Sequence, residues 1–380
     1  MNKEERTMSR KSFLMLIVLV GLALVATACG GAEPAEPAPV ETVIVTVEVE
    51  VPVEAEPAPA VPTGRGEIYN RVIERGKVVC GGRTDLAGFG MLDESGRNTG
   101  FDIDLCRAVA AAVLGDPEAI EVVPLTAAER GPALQTGEVD ILSRNLTWTS
   151  SRDAQWGNFT TVMFYDGQGY MVRKDTGITT VEELDGATVC VTSGTTTELN
   201  LADDFRQRGL DFEAVVFEET AAVYGAYEEG RCDATTSDKS QLASVRTGFA
   251  DPDGHVILDV TISKEPLTPA VPHGDDMWFD IVKVVMYGLI NAEELGVTQA
   301  NVDEMASGDN ITIRRLLGTE GEWGQADLSL PADAIALAVK AVGNYGEIYE
   351  RYLGPDALNV PRGPNKLWND GGLIYAPPMR

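Results

Sequence analysis

Beyond residue 66 the apolar positions fall into two alternating patterns. Short, mostly apolar runs, such as Val78-Val79-Cys80, residues 139–142, Thr188-Val189-Cys190-Val191 and residues 214–217, predict buried strands. Between them, apolar residues recur every three or four positions and predict helices. These helices cover 68–75, a segment opened by Gly100-Phe101-Asp102 and reaching Leu114 with Asp102 as N-cap, 127–137, the turn at Ser193 running to Arg208, and 220–229. Strand, helix, strand is the order of a parallel α/β sheet, and it occurs twice, from Lys77 to Leu142 and from Tyr170 to Thr236. Two such lobes in tandem imply a cleft between them, with ligands meeting the carboxyl ends of the strands. After Ile262 the chain is extended by Pro266 and Pro269 and then becomes helical, over 276–291, 297–305, 311–317 and 333–352. This last third is expected to pack on the first lobe.

Ahead of this body the pattern changes. Lys3, Arg6, Arg10 and Lys11 precede an apolar run from Phe13 to Ala26, and Ala26-Thr27-Ala28-Cys29 follows. Residues 1–28 therefore predict a secretory signal, with an apolar stretch too short for a comfortable membrane span. A cysteine directly after such a run resembles the lipobox of bacterial lipoproteins, which implies cleavage before Cys29 and a lipid on that residue. A plain signal with an incidental cysteine is the alternative. Residues 30–64 hold seven glutamates, no basic residue and many Pro, Ala and Val. With nothing nearby to pair with, the segment 29–65 predicts a disordered, semi-rigid tether. Its valine-rich centre could instead add an edge strand to a partner.

The formal net charge is −29; residues 1–28 carry four basic and two acidic groups, which leaves −31 on the remainder. Such a surface repels nucleic acid and anionic lipid head groups. Of five cysteines, four remain once Cys29 is set aside, an even number in an exported chain. Cys80 and Cys106 lie in the first half, Cys190 and Cys232 in the second, and the expected disulfides are Cys80–Cys106 and Cys190–Cys232, with four buried free thiols as the other reading. His255 and His273 are the only histidines, and no Cys/His spacing suggests a metal site, so neither metal nor cofactor is expected.

Candidate chemistry gathers at three strand ends. In Asn145-Leu146-Thr147-Trp148-Thr149-Ser150-Ser151-Arg152, the hydroxyls of Thr147 and Thr149 alternate with apolar groups, and Arg152 supplies a guanidinium fork suited to a carboxylate. Gly194-Thr195-Thr196-Thr197 puts N–H groups and hydroxyls at a helix N-terminus, where an anion is welcome. Asp238 follows a strand directly, either to face the cleft or to cap the next helix.

Taken together, Gly100-Phe101-Asp102-Ile103-Asp104-Leu105, Thr136-Gly137-Glu138-Val139-Asp140, the run from Asn145 to Arg152, Phe164-Tyr165-Asp166-Gly167-Gln168-Gly169-Tyr170, Asp185-Gly186-Ala187-Thr188-Val189-Cys190 and Val342-Gly343-Asn344-Tyr345-Gly346-Glu347 carry a resemblance. From Ile68 to Arg380 the chain resembles the amino-acid-binding proteins of ABC importers, within the family 3 solute-binding proteins and nearest the broad-specificity L-amino-acid subgroup. The resemblance implies a periplasmic-binding-protein-like type II fold, two α/β lobes joined by two crossing strands near 165–171 and 262–270. Lobe 1 would comprise 66–170 and 266–380, and lobe 2 would comprise 171–265. It further implies that Arg152 takes a ligand carboxylate with Thr147 and backbone N–H groups near Thr195 and Thr196, and that Asp238 takes the ammonium with the Asn145 carbonyl. Leu86 and Phe89 occupy the place where relatives keep an aromatic lid over the ligand side chain. Thr192 stands where glutamine-specific relatives place a lysine, which argues against strict glutamine specificity.

The expected function is therefore that of an exported, lipid-anchored solute receptor in the cell envelope, a monomer that delivers polar L-amino acids to an ABC permease. An enzyme on the same fold, as in dehydratases that resemble these receptors, would need a general acid or base beyond Arg152 and Asp238, and none is evident. A ligand-sensing subunit of a signalling receptor is the third reading.

Overall fold

The computed structural model describes residues 65–380. The expected signal segment, Cys29 and the tether up to residue 64 lie outside the described residues. Among the described residues no helix is long and apolar enough to cross a membrane.

In chain order the strands are β1 (Val78–Gly82), β2 (Asp85–Leu86), β3 (Gly90–Leu92), β4 (Asn98–Thr99), β5 (Ile120–Pro124), β6 (Ile141–Leu142), β7 (Asn158–Phe159), β8 (Phe164–Asp166), β9 (Gln168–Arg173), β10 (Ala187–Thr192), β11 (Phe212–Phe217), β12 (Ala234–Asp238), β13 (His255–Ile257), β14 (Glu265–Leu267) and β15 (Ala270–Val271). Two five-stranded sheets result, ordered β5-β1-β6-β15-β7 and β11-β10-β12-β9-β13. In the first, β1 runs parallel to β5 and β6, and β15 returns antiparallel. In the second, β10 runs parallel to β11 and β12, while β9 is antiparallel to β12 and β13. The repeated α/β order thus builds two lobes. Strand β9 enters the second sheet at Gln168, so the division expected at 170/171 falls inside that strand.

Two strands cross between the lobes, β8 and β14, as an antiparallel pair with Asp166 opposite Glu265 and Tyr165 opposite Pro266. Each lobe contains one cystine: Cys80 with Cys106, from β1 to the helix Phe101–Leu114, and Cys190 with Cys232, from β10 to the loop before β12.

The first lobe has the larger core because the C-terminal third packs on it. The helix Phe101–Leu114 is buried along nearly its whole length, under the helices Asp276–Glu294 and Ala334–Val342. Trp278, Tyr345 and Tyr349 are fully buried there. Asp275 caps the helix Asp276–Glu294 through Trp278 N and also accepts from Gly66 N and Ile68 N at 2.7 and 2.8 Å, tying the start of the body to its end.

Several helix limits differ from the sequence reading. The segments expected over 127–137 and 297–305 are helical only at Arg130–Thr136 and Val302–Met305. The single helix expected over 333–352 is two, Ala334–Val342 and Tyr345–Tyr352. Asn344 opens the second with a capping box, in which Asn344 Oδ1 accepts from Glu347 N and Glu347 Oε2 accepts from Asn344 N, both at 2.9 Å. Apolar periodicity carries across the break, which is why it did not register. Asp102 is not the N-cap of its helix: Gly100 is, at φ 136°, where an added Cβ would stand 2.2 Å from Phe89 O. The Asp102 carboxylate is thereby free to serve the cleft.

Candidate ligand-binding cleft

The carboxyl ends of β1, β6, β10 and β12 face one another across the two lobes and enclose about 390 Å³ of empty space, partly open to solvent. Arg83, Arg130, Arg144, Asn145 and Thr147 line it from the first lobe; Thr192, Thr195–Thr197, Thr220, Asp238 and Gln241 line it from the second. The lining is almost wholly polar, and its charged members are buried.

Closely spaced contacts join the lobes. Arg83 Nη1 donates to Asn145 Oδ1 at 3.2 Å and to Gln241 Oε1 at 3.1 Å, Nη2 donates to Thr220 Oγ1 at 3.1 Å, and Nε pairs with Asp85 at 2.8 Å. Asn145 Nδ2 also donates to Gln241 Oε1, at 3.0 Å. Ser244 Oγ donates to Ala87 O at 2.7 Å. The turn at Gly194, at φ 69°, abuts Ala128 of the facing lobe. These are the contacts of a closed conformation.

Asn145 itself adopts φ 31°, a left-handed conformation that Asn tolerates better than most residues. Asp102 holds that turn by accepting from Asn145 N at 2.6 Å and Ser143 Oγ at 3.3 Å, and burial pushes its carboxyl up to about 6. Thr147 meets Thr196 across the cleft, Oγ1 to Oγ1 at 3.5 Å. Thr195 caps the helix Thr196–Arg208 by accepting from Glu198 N, and the first-turn N–H groups behind that cap have no helical acceptor.

The sequence places Arg152 and Asp238 on opposite jaws, and the structure brings both to this region in different ways. Asp238 lines the cavity at 5% exposure. It stands at the N-cap position of the helix Lys239–Arg246 but makes no side-chain cap bond, and its Oδ1 has no hydrogen-bond partner among the described residues. Burial, together with the nearby carboxylates of Asp166 and Glu265, raises its carboxyl well above the usual range. Asp166 is itself pushed up to about 6 by burial. Glu265 is fully enclosed, accepting from Thr196 Oγ1 at 2.9 Å, Asn200 Nδ2 at 2.8 Å and Ser263 Oγ at 2.5 Å.

Arg152 stands behind Thr147, not on the cavity wall. Its Nη1 donates to Thr147 O at 3.1 Å, and its guanidinium lies 4.8 Å from the Trp156 ring. Burial lowers its pKa, while Glu265 and Asp238 pull it back up. Thr149 does not join Thr147 in facing the cleft; it caps the helix Ser150–Gln155 by accepting from Arg152 N at 3.2 Å.

Leu86 and Phe89 do not cover the cleft. Both are 1% exposed in the first-lobe core, where the Phe89 ring meets Phe101 and Phe164 edge-on at 6.4 and 5.7 Å. Gly88, at φ 81°, turns the chain between β2 and β3, and Arg83 occupies the cleft instead. The sequence reading also passed over Arg130 and Arg144. Burial and mutual repulsion lower Arg130 well below its ordinary value and Arg144 to about 9. Neither these two nor Arg152 forms an ion pair among the described residues, whereas Arg83 has Asp85. Buried carboxylates and unpaired guanidiniums share one polar space, an arrangement suited to a small dipolar ligand with groups of both signs. Among the described residues no cluster of side chains could hold a metal ion.

Comparison with known proteins agrees with this architecture. The general L-amino acid-binding periplasmic protein AapJ of Rhizobium johnstonii is 54% identical over 309 residues, 80% of this chain and 91% of that protein. The glutamate/glutamine/aspartate/asparagine-binding protein BztA of Rhodobacter capsulatus is 48% identical over 309 residues, 80% of this chain and 91% of that protein. A solved ABC transporter/periplasmic binding protein from Brucella ovis, with glutathione bound, matches at a TM-score of 0.80 and 48% identity, covering 82% of this chain and 99% of its own. The family model of the bacterial extracellular solute-binding proteins, family 3, matches residues 78–355, and with its two lobes and polar cleft the chain belongs to that family.

Proposed function

We propose that this protein is the extracytoplasmic binding subunit of an ABC amino-acid importer, lipid-anchored through Cys29, which captures L-amino acids by lobe closure and hands them to the permease. The observation that carries this reading is Asp238: a buried carboxylate with an unpartnered oxygen on one jaw, opposite guanidiniums without ion-pair partners on the other. Leaving such groups uncompensated costs several kcal/mol, on the order of the penalty for a broken buried pair. A zwitterion supplies both missing partners.

In this reading Asp238 receives the ammonium, with the Asn145 carbonyl beside it. Arg152 receives the α-carboxylate, swinging from Thr147 O, with the Thr147 hydroxyl and the N–H groups at Thr195 and Thr196 completing the cradle. The printed names of the relatives, general L-amino acid-binding and glutamate/glutamine/aspartate/asparagine-binding, support an amino acid as ligand and polar side chains among those accepted.

Calorimetry of the mature protein against the twenty common amino acids tests this. Saturable binding is expected for several of them, lost in Arg152→Ala with the melting transition retained. A panel with no binding partner overturns the reading, and full affinity in Arg152→Ala moves the carboxylate to another group.

A further inference from the structure

Arg144 lies two residues beyond the end of β6 and is 6% exposed. Its Nε donates to Leu125 O at 2.5 Å, and neither Nη has a protein acceptor among the described residues. It lines the cleft cavity and also a second cavity of about 530 Å³ of empty space that shares Arg83, Arg144 and Thr220 with it. The other cleft cations are differently placed. All three nitrogens of the Arg83 guanidinium are engaged by Asp85, Asn145, Gln241 and Thr220. Arg130 donates to Ala127 O at 3.0 Å and to Gly194 O at 3.5 Å, beside the turn of the second lobe. Arg152 and Asp238 are assigned to the two ends common to every amino acid. Arg144, unlike Arg130, stands where the cleft opens into the adjoining cavity, and both its Nη groups are free of protein acceptors among the described residues.

We propose that Arg144 is the receptor for a second carboxylate, that of the ligand side chain, and that the protein therefore prefers acidic amino acids, glutamate and aspartate, to uncharged ones. This deepens the preceding reading and rests on it. A guanidinium held out of water gains most from a carboxylate because both Nη groups can donate to it in parallel. Asp85, Glu129, Glu218 and Glu219 also line the second cavity and repel an anion, which confines the side-chain carboxylate to the guanidinium of Arg144. Arg83 positions this site by holding Asn145, the residue next to Arg144, in its left-handed turn.

The test is calorimetry with glutamate and with alanine on the wild type, Arg144→Gln and Arg144→Lys. Arg144→Gln is expected to lose about 10- to 100-fold in glutamate affinity, the range for one lost charge-assisted bond. Alanine affinity should fall by a clearly smaller factor, since alanine carries no second carboxylate. Arg144→Lys should recover part of the glutamate affinity. Equal losses for the two ligands, or unchanged glutamate binding, overturn the proposal. If Arg144→Gln fails to fold by circular dichroism, glutamate is compared with norvaline on the wild type, because norvaline has the same chain length without the carboxylate. Norvaline binding as tightly as glutamate overturns it equally. A wild type that binds alanine but not glutamate sinks this inference alone, whereas one that binds no amino acid sinks the reading beneath it.

Discussion

Arg83 and Gln241 meet across the cleft, the guanidinium Nη1 donating to the amide Oε1 at 3.1 Å. One side chain is rooted after β1, the other in the helix Lys239–Arg246, so the bond exists only while the lobes are together. Gln241 Oε1 takes a second donor, Asn145 Nδ2, and Gln241 Nε2 is fixed by donating to Tyr224 Oη at 3.0 Å. The latch is thus built from protein groups alone, independent of which ligand lies beneath it.

Removing the latch should shift the balance toward the open form. Gln241→Ala strands the donors of Arg83 and Asn145, and ligand affinity is expected to fall roughly tenfold, the loss of one or two bonds to charged or buried groups. Small-angle scattering of the ligand-free variant should show a larger radius of gyration than the wild type. An unchanged radius and unchanged affinity refute the latch.

Binding should release a proton. In the ligand-free closed form burial and the neighbouring acids keep Asp238 protonated well above the usual carboxylate range, but an ammonium is held by the ionised carboxylate. The proton leaves as the ligand arrives, so affinity rises with pH until Asp238 ionises on its own. Calorimetry in two buffers of different ionisation enthalpy reads this directly; equal heats in both count against the assignment.

Asp238 should also trade stability for function. A carboxyl raised on folding contributes stability below about pH 4 that is lost as pH rises through its folded value. Asp102 and Asp166, each pushed to about 6 from 3.8, place part of this loss between about pH 4 and 6, and Asp238, raised in the same direction, adds to it. Asp238→Asn carries no charge at either end. It should therefore melt with the wild type at pH 4 and, at pH 8, at least about 2 °C above it, the shift 1 kcal/mol gives a chain of this size. Its ligand affinity should drop more than about tenfold. A lower melting temperature at pH 8 contradicts this.

The two cystines close loops with sequence separations of 26 and 42 residues. Chain-entropy reasoning gives each about 3–4 kcal/mol. Cys190→Ser with Cys232→Ser should lower the melting temperature by several degrees, and reductant should then affect that variant less than the wild type. If reductant shifts both equally, the second-lobe cystine adds nothing.

Much of the architecture was legible because its signals are local. Short apolar runs between helical periods gave the parallel central strands of both lobes, though not the order of the sheets or the antiparallel strands that complete them. Positions at strand ends could be named as cleft-facing before any coordinates, as with Asn145, Thr147, Thr196 and Asp238. Arg83 and Arg144 sit at such ends too, after β1 and β6, so the same rule reaches them. Leu86 and Phe89 lie in the core because a loop's apolar residues point to the core or the cleft according to its turn, here at Gly88, which no periodicity reports. Glu265 and Asp166 come from segments about 100 residues apart, and only the pairing of β8 with β14 brings them beside Asp238.

The crossing strands change allegiance within one peptide of each other. Tyr165 belongs to the first lobe, its N–H and carbonyl both bonded to the Asn365 side chain, whereas Asp166 and Gly167 accept from Ser240 N and Lys239 N of the second. On the facing strand Glu265 grips Thr196 and Asn200 of the second lobe, while Pro266 O accepts from Trp148 N of the first at 2.9 Å. The pivot of the jaws therefore runs through the link from Tyr165 to Asp166 and the link from Glu265 to Pro266, which stand opposite each other. The proline ring freezes one of the torsions flanking the second link and confines the ψ of Glu265 to extended values. Pro266 thus stiffens one of the two crossings, so that the ψ of Tyr165 and the φ of Asp166, opposite it, are the less restrained torsions of the pivot.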